Sequence, residues 1–361
     1  MIVYFIVILF VLLMANQINQ TDRPCLNHKR NGIAFVWHTV QAKRAYIITA
    51  IVLACIAGLR YGVGADFLSY YGGVEWRANE LQENLQNLDE PGISFICWIA
   101  TKINPSDPRA IGIFLEASIT ITTMLLVIYR NSDELGNSLI YYLLLVWASC
   151  FNGVRQSLAA AVLICGLPYI KQRKLIRYCI VCFVAFLFHK SALVMLAMYF
   201  VAGKKATIRN MIFIMLGSVV LLYSYDFVFG LLGNIMTDVD TTEYATRSVN
   251  ILRTLVACAP AILFWASGLY KEADEDTAFY LNITVIHAAL AIAASGSSYF
   301  ARVSMYTDPF MAIAIPKLGK KLYKKSGQNY MTVMTLCYTL FFLYGEYKDA
   351  TEKVFKFIWQ K

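Results

Sequence analysis

The sequence predicts an all-α, polytopic integral membrane protein of about twelve membrane segments, and three observations carry that reading. Hydrophobic residues make up 58% of the 361 and charged residues only 15%. A soluble domain is nearer half apolar and a quarter charged. Apolar runs recur along the whole length, and lysines and arginines gather in the short stretches between them, as in cytoplasmic loops. The net charge of +9 is therefore spread over helix connections and is no nucleic-acid signal.

Taken in order, the runs are Ile2 to Met14, Tyr46 to Leu59, Ile111 to Tyr129, Leu139 to Cys150, Leu158 to Ile170, Tyr178 to Phe188 and Ala192 to Ala202. They continue at Met211 to Tyr225, Ile251 to Leu269, Phe279 to Ala294, Val303 to Ile315 and Met331 to Tyr344. The first resembles the apolar core of a signal peptide but lacks a basic start and a small-residue cleavage site, so it reads as a retained helix. Several runs fall short of the ~20 residues that cross a bilayer, which predicts broken, tilted or half-spanning helices around a polar cavity. The chain reads as one transmembrane domain over 1–361, with external loops at 60–106 and 226–250 and an amphipathic tail at 346–361.

Basic clusters set the orientation: Arg23 to Arg44, Lys171 to Arg177, Lys204 to Arg209 and Lys317 to Lys325. Two of them flank the segment from Arg177 to Gly203. A single crossing would place one of the two outside, whereas two short helices joined at His189 keep both inside. The hairpin is the reading preferred over one tilted helix. Gly92 to Lys102 is too short to span and is expected to be an external amphipathic or re-entrant helix. Both termini then lie outside, and Arg60, Asp66, Arg155, His189, Glu243 and Arg302 are expected to face one external-side cavity.

Ionisable residues at membrane depth are functional candidates by default, because an unpaired charge there costs several kcal/mol. FNGVRQSLAAAV holds Asn152, Arg155 and Gln156 ahead of Ala159 to Ala161, small residues that permit close helix packing. Arg155 keeps its proton and so wants an anion, either a ligand phosphate or a structural carboxylate such as Asp66. GLRYGVGADFLSYY places Arg60 and Asp66 in a glycine-rich turn; the pair either grips an anion or fixes the loop. FLFHKSALVML puts His189 beside Lys190 at the expected helix break, whereas His287 in IHAALA reads as a packed residue. In the 226–250 loop, Asp238-Val-Asp240 is a weak imitation of a metal-binding DxD. Glu243-Tyr244 is the stronger pair, a carboxylate and a ring that can hydrogen-bond and stack a sugar. Arg302 and Tyr306 share a helical face as a second cationic site or a snorkelling anchor. The nine cysteines lie mostly within apolar runs, and Cys179 and Cys182 form a CxxC inside an expected helix with no second pair, so neither a metal nor any other cofactor is expected.

In this order, GLRYGVGAD with Tyr70 and Tyr71, Glu90-Pro91-Gly92, NGVRQSLAAA, FHKSAL, Glu243-Tyr244, and Arg302 with Tyr306 and Pro316 resemble the EpsG family of bacterial exopolysaccharide polymerases, similar in role to Wzy-type polymerases. The resemblance implies a GT-C-like architecture in the bacterial cytoplasmic membrane with the active site facing outward. It implies transfer of a glycan from an undecaprenyl diphosphate carrier to a sugar hydroxyl of another lipid-linked repeat unit, for capsule, exopolysaccharide or O-antigen. The implied partners are that lipid-linked oligosaccharide, membrane lipid, and the chain-length regulator and flippase of the same pathway. Such chemistry needs cations for the leaving diphosphate and a base for the acceptor hydroxyl. Arg155 and Arg60 lead for the first, with Arg302 behind. His189 leads for the second, followed by Glu243 and Asp66. Asn152, Gln156, Lys190, Tyr244 and Tyr306 complete the expected substrate-binding set. The competing readings are a transporter or flippase of the lipid-linked oligosaccharide, disfavoured by the lack of an internal repeat, and a membrane glycan acyltransferase.

Overall fold

A computed structural model describes residues 1–28, 34–223, 251–295, 300–352 and 355–361. The expected Glu243 and Tyr244 lie outside the described residues. The first helices are α1 (Ile2–Thr21) and α2 (Val40–Gly58), linked by the hairpin strands β1 (Cys25–His28) and β2 (Ala34–Trp37). After strand β3 (Arg60–Tyr61) come α3 (Phe67–Gly72), α4 (Val74–Asn79), α5 (Leu81–Asn87), α6 (Pro91–Ile103) and α7 (Arg109–Asn131). Then follow α8 (Leu135–Tyr142), α9 (Val154–Ile164), α10 (Leu167–Lys171), α11 (Leu175–Phe186) and α12 (Leu196–Ala202). The last elements are α13 (Ile208–Tyr223), α14 (Ile251–Ala266), α15 (Glu275–Ala294), α16 (Asp308–Ser326), α17 (Tyr330–Glu352) and strand β4 (Lys356–Phe357).

Among the described residues four helices are long and apolar enough to cross a membrane, namely α1, α2, α7 and α15, and shorter apolar helices of 10–17 residues lie between α2 and α15. Their surroundings differ. The outer face of α1 exposes Ile2, Phe5, Ile6, Leu9 and Leu13, the pattern of a helix against lipid. In α15, 89% of the apolar window is buried, so this helix is the axis on which the C-terminal half packs. Between helices in lipid, close packing and interhelical hydrogen bonds supply the cohesion. The buried Ala159, Ala160 and Ala161 let α9 approach α7 and α11 closely, and Trp147 Nε1 donates to the Leu53 carbonyl at 3.1 Å.

The hairpin expected at His189 is present. Helix α11 stops after Phe186, His189 is extended (φ −159°, ψ 124°), and a 3-10 turn at Lys190–Met195 leads into α12. The chain reverses there, because Tyr178 stacks on Tyr199 and Arg173, at the start of the hairpin, donates to the Tyr199 carbonyl at 2.8 Å. The basic stretches before and after it therefore share one end of the molecule. Lys317 joins them by pairing with Asp276 at 2.7 Å and Asp133 at 3.3 Å, while Lys171 also pairs with Asp276 and Lys320 with Glu134. The α1–α2 connection lies at the same end, where His38 bridges Asp22 (2.6 Å) and the Tyr129 carbonyl at the end of α7 (2.8 Å).

Both termini are at the opposite end. Tyr4 packs edge-on against Trp147, Phe342 and Phe355. The tail expected as an amphipathic segment is divided: residues to 352 continue α17, and β4 pairs antiparallel with β3, setting Arg60 opposite Phe357. The short segment expected to be external is α6. Its inner face is Ile93, Ile96, Cys97 and Ala100, while Phe95 and Trp98 stack on its exposed face.

Candidate functional site

Two glycine-containing turns interlock at this end. The 60–66 turn lies on the 151–153 turn: the Ala65 N–H donates to Asn152 Oδ1 and the Gly153 N–H to Asp66 Oδ2 (3.1 Å). Gly64 makes this approach feasible, since its φ is +101° and a Cβ would sit 2.5 Å from the Phe151 carbonyl oxygen. Asp66 also accepts from Arg302 Nη2 at 2.9 Å. The expected Arg60–Asp66 pair is not formed. Arg60 is 3% exposed, donates to the carbonyls of Ala57 and Val63, and lies over the Phe151 ring, 4.7 Å from its centroid. It borders a small internal pocket shared with Glu116 and Thr120. Backbone carbonyls of α2 and the turn thus take the Nε and one Nη1 donor of this buried guanidinium.

The histidine at the hairpin break meets a carboxylate from the 60–106 region. Glu90 has a left-handed backbone (φ 50°), Pro91 opens α6, and the Gly92 N–H donates to the Leu187 carbonyl at 2.8 Å. A Cβ on Gly92 would lie 2.7 Å from the Phe188 ring, so only glycine allows this docking. Glu90 Oε1 pairs with His189 Nδ1 and accepts from the Lys190 N–H at 3.1 Å, while Oε2 pairs with Arg155 Nη1. Burial by itself would raise the Glu90 carboxyl. The hydrogen bond and charge of His189, the Arg155 charge and the Lys190 N–H together outweigh burial and hold the carboxyl down to about 2. On the other side of the ring, Gln156 Nε2 lies 3.0 Å from His189 Nε2. Nδ1 faces the Glu90 carboxylate and Nε2 the Gln156 side-chain amide, so both ring nitrogens are engaged. Lys190 pairs with Asp89 at 2.8 Å, and Ser191 Oγ lies 2.7 Å from the Tyr306 hydroxyl.

A cavity of about 540 Å³ opens beside these turns. Its walls come from the end of α8, where the helix widens into a π turn at Leu143–Trp147, and from α14, α15 and α17. Leu144, Val256, Ala291 and Phe341 give its lining apolar surface, and Asn152, Arg302, Arg253, His287 and Asp308 give it polar surface. His287 Nδ1 is 2.8 Å from Thr307 Oγ1 and 3.6 Å from Asp308 Oδ1.

Thus Asp66, Asn152 and Arg302 come together at the cavity rim, and Arg155, Gln156, His189 and Lys190 gather around Glu90 next to it. Gly153 links the two groups, since its Cβ position would lie 3.0 Å from Gln156 Oε1 and 3.7 Å from Arg302 Cδ. Tyr306 is fully buried beneath Ser191. Two residues of this arrangement carry little local signal in the sequence: Glu90 lies in the Glu90-Pro91-Gly92 string without standing out as a site residue, and His287 reads as a packed residue, as its burial agrees. The default rule for charges within apolar helices was the available signal for His287.

The model of the EpsG family matches residues 43–359, nearly the whole chain. No curated protein and no solved structure matches it.

Proposed function

Because this chain belongs to the EpsG family of exopolysaccharide-related, glycosyltransferase-like polymerases, we propose that it polymerises oligosaccharide repeat units carried on undecaprenyl diphosphate. The glycan of one lipid-linked unit passes to a sugar hydroxyl of another, and the lipid diphosphate leaves. The observation that carries this reading is the cavity, whose lining combines apolar side chains with Arg302 and Arg253. Such a lining suits a ligand with a hydrocarbon tail and an anionic head, and its volume lies within the roughly 300–1,000 Å³ of small-molecule sites. Arg302, 40% exposed in its side chain, is oriented by Asp66 and is the first candidate for the diphosphate. Arg155, 38% exposed, borders the same end with one terminal nitrogen given to Glu90. Arg60, enclosed by backbone carbonyls and rings, is left as a fold residue in this reading.

The architecture proposed is GT-C-like, with about twelve membrane segments when α11 and α12 count as two half-spans. The lysine-rich end is cytoplasmic and the cavity opens on the outer side of the bacterial cell membrane, by the bias of basic loops. Sugars extend outward, with the chain-length regulator and flippase of the pathway as partners. The test supplies the purified protein in lipid vesicles with a lipid-diphosphate-linked repeat unit. Long glycans support polymerisation; translocation alone would assign a flippase, and an acylated product an acyltransferase.

A further inference from the structure

We propose that His287 is the general base of the transfer, taking the proton of the acceptor hydroxyl at Nε2 inside the cavity lined by Arg253 and Arg302; this rests on the polymerase reading above. The hydrogen bonds around the ring fix its tautomer. The Thr307 hydroxyl has one proton, and it donates that proton to the Ser304 carbonyl at 2.8 Å. Thr307 Oγ1 must then accept from His287, 2.8 Å away, so Nδ1 carries the hydrogen. The lone pair is left on Nε2, which has no hydrogen-bond partner among the described residues, on a residue that lines the cavity. A base needs this arrangement, with one nitrogen anchored and the other open. Asp308, 3.6 Å from Nδ1, is placed to stabilise the imidazolium once it forms, as a positioning residue. At His189 the arrangement differs, because the nitrogen opposite the carboxylate is already occupied by Gln156.

The step balances within the site. The acceptor O–H bond breaks and its proton goes to His287 Nε2. The acceptor oxygen bonds to the anomeric carbon as the bond from that carbon to the diphosphate oxygen breaks. The electron pair leaves on the lipid diphosphate, whose added charge the two arginines stabilise. The imidazolium then returns its proton to water.

The experiment uses the full chain in lipid vesicles with a polyprenyl-diphosphate-linked repeat unit isolated from the native membrane, and reads glycan length and turnover. Asparagine keeps a donor near the Nδ1 position and lacks Nε2. His287→Asn should therefore lose about 10²–10⁴-fold in kcat with KM little changed and the unfolding temperature retained. His287→Ala should lose as much and recover part of its turnover with added imidazole. Turnover of His287→Asn within about threefold of wild type would overturn the assignment. If the substitution also lowers the unfolding temperature, imidazole decides: recovery supports the base, and no recovery overturns it. A wild-type protein that makes no long glycans would overturn the polymerase reading itself, and this assignment with it.

Discussion

Two histidines lie on the cavity-bearing side of this molecule, and they are held in opposite ways. His189 is clamped, with Nδ1 on Glu90 and Nε2 on Gln156. His287 is anchored at Nδ1 alone, and the residue lines a cavity. The first arrangement spends the ring on joining α6, α9 and the α11–α12 break. The second leaves a nitrogen for an outside molecule. If His287 is the base, a conspicuous cation next to a histidine says less about chemistry than the number of ring nitrogens the fold leaves open.

If the Glu90–His189 cluster is a clamp, breaking it should chiefly cost stability. Glu90→Ala leaves the buried His189 without its hydrogen-bond partner and is expected to destabilise the protein by about 1–3 kcal/mol, read by denaturant unfolding in detergent. Thr307→Ala, at the other histidine, should cost about 1 kcal/mol and act mainly on turnover. Equal losses of stability at the two places would erase the distinction.

The arginines sharpen the comparison next. Arg302→Ala should reduce polymer formation about 10²–10³-fold at matched protein levels. Arg302→Lys should keep part of it, since charge remains while the planar fork is lost. Arg155→Lys is expected to lose less than Arg302→Lys, because Glu90 already holds one of its nitrogens. A larger loss at Arg155 would move the diphosphate towards the His189 cluster.

Acid should separate the regions more gently. The Glu90 carboxyl is held at about 2, below the ~4.3 of an unfolded glutamate. The sign follows: its contribution is complete above the unfolded value and fades as pH falls from there towards about 2. The unfolding temperature of wild type should drop over that window more steeply than that of Glu90→Gln. Parallel curves would remove Glu90 from the clamp.

Labelling has the smallest effect on the protein and bears on the hairpin alone. In a cysteine-free background, probes at Gln172 and Lys205 should react from one side of the membrane and a probe at Asp107 from the other. Opposite accessibility of Gln172 and Lys205 would require a single crossing between them.

Much of the framework is legible in the chain. Run lengths and basic loops give an all-α membrane protein, and the two basic stretches around FLFHKSALVML already call for a reversal at His189. Arg302 and Asp66 are visible as charges but not as partners, since 236 positions separate them. Arg60 shows the converse: its glycine-rich turn suggests a ligand grip, and only the fold shows that the guanidinium donates to the carbonyls of Ala57 and Val63.

The sequence by itself determined the apolar segments, the shared end of the basic clusters, and the family, because these depend on composition and on order along the chain. Tertiary structure alone decided which carboxylate meets which cation, and which histidine keeps a free nitrogen. Those outcomes depend on residues far apart in sequence meeting within a few ångströms. At membrane depth an unpaired polar group is costly, and packing selects which ones find a partner.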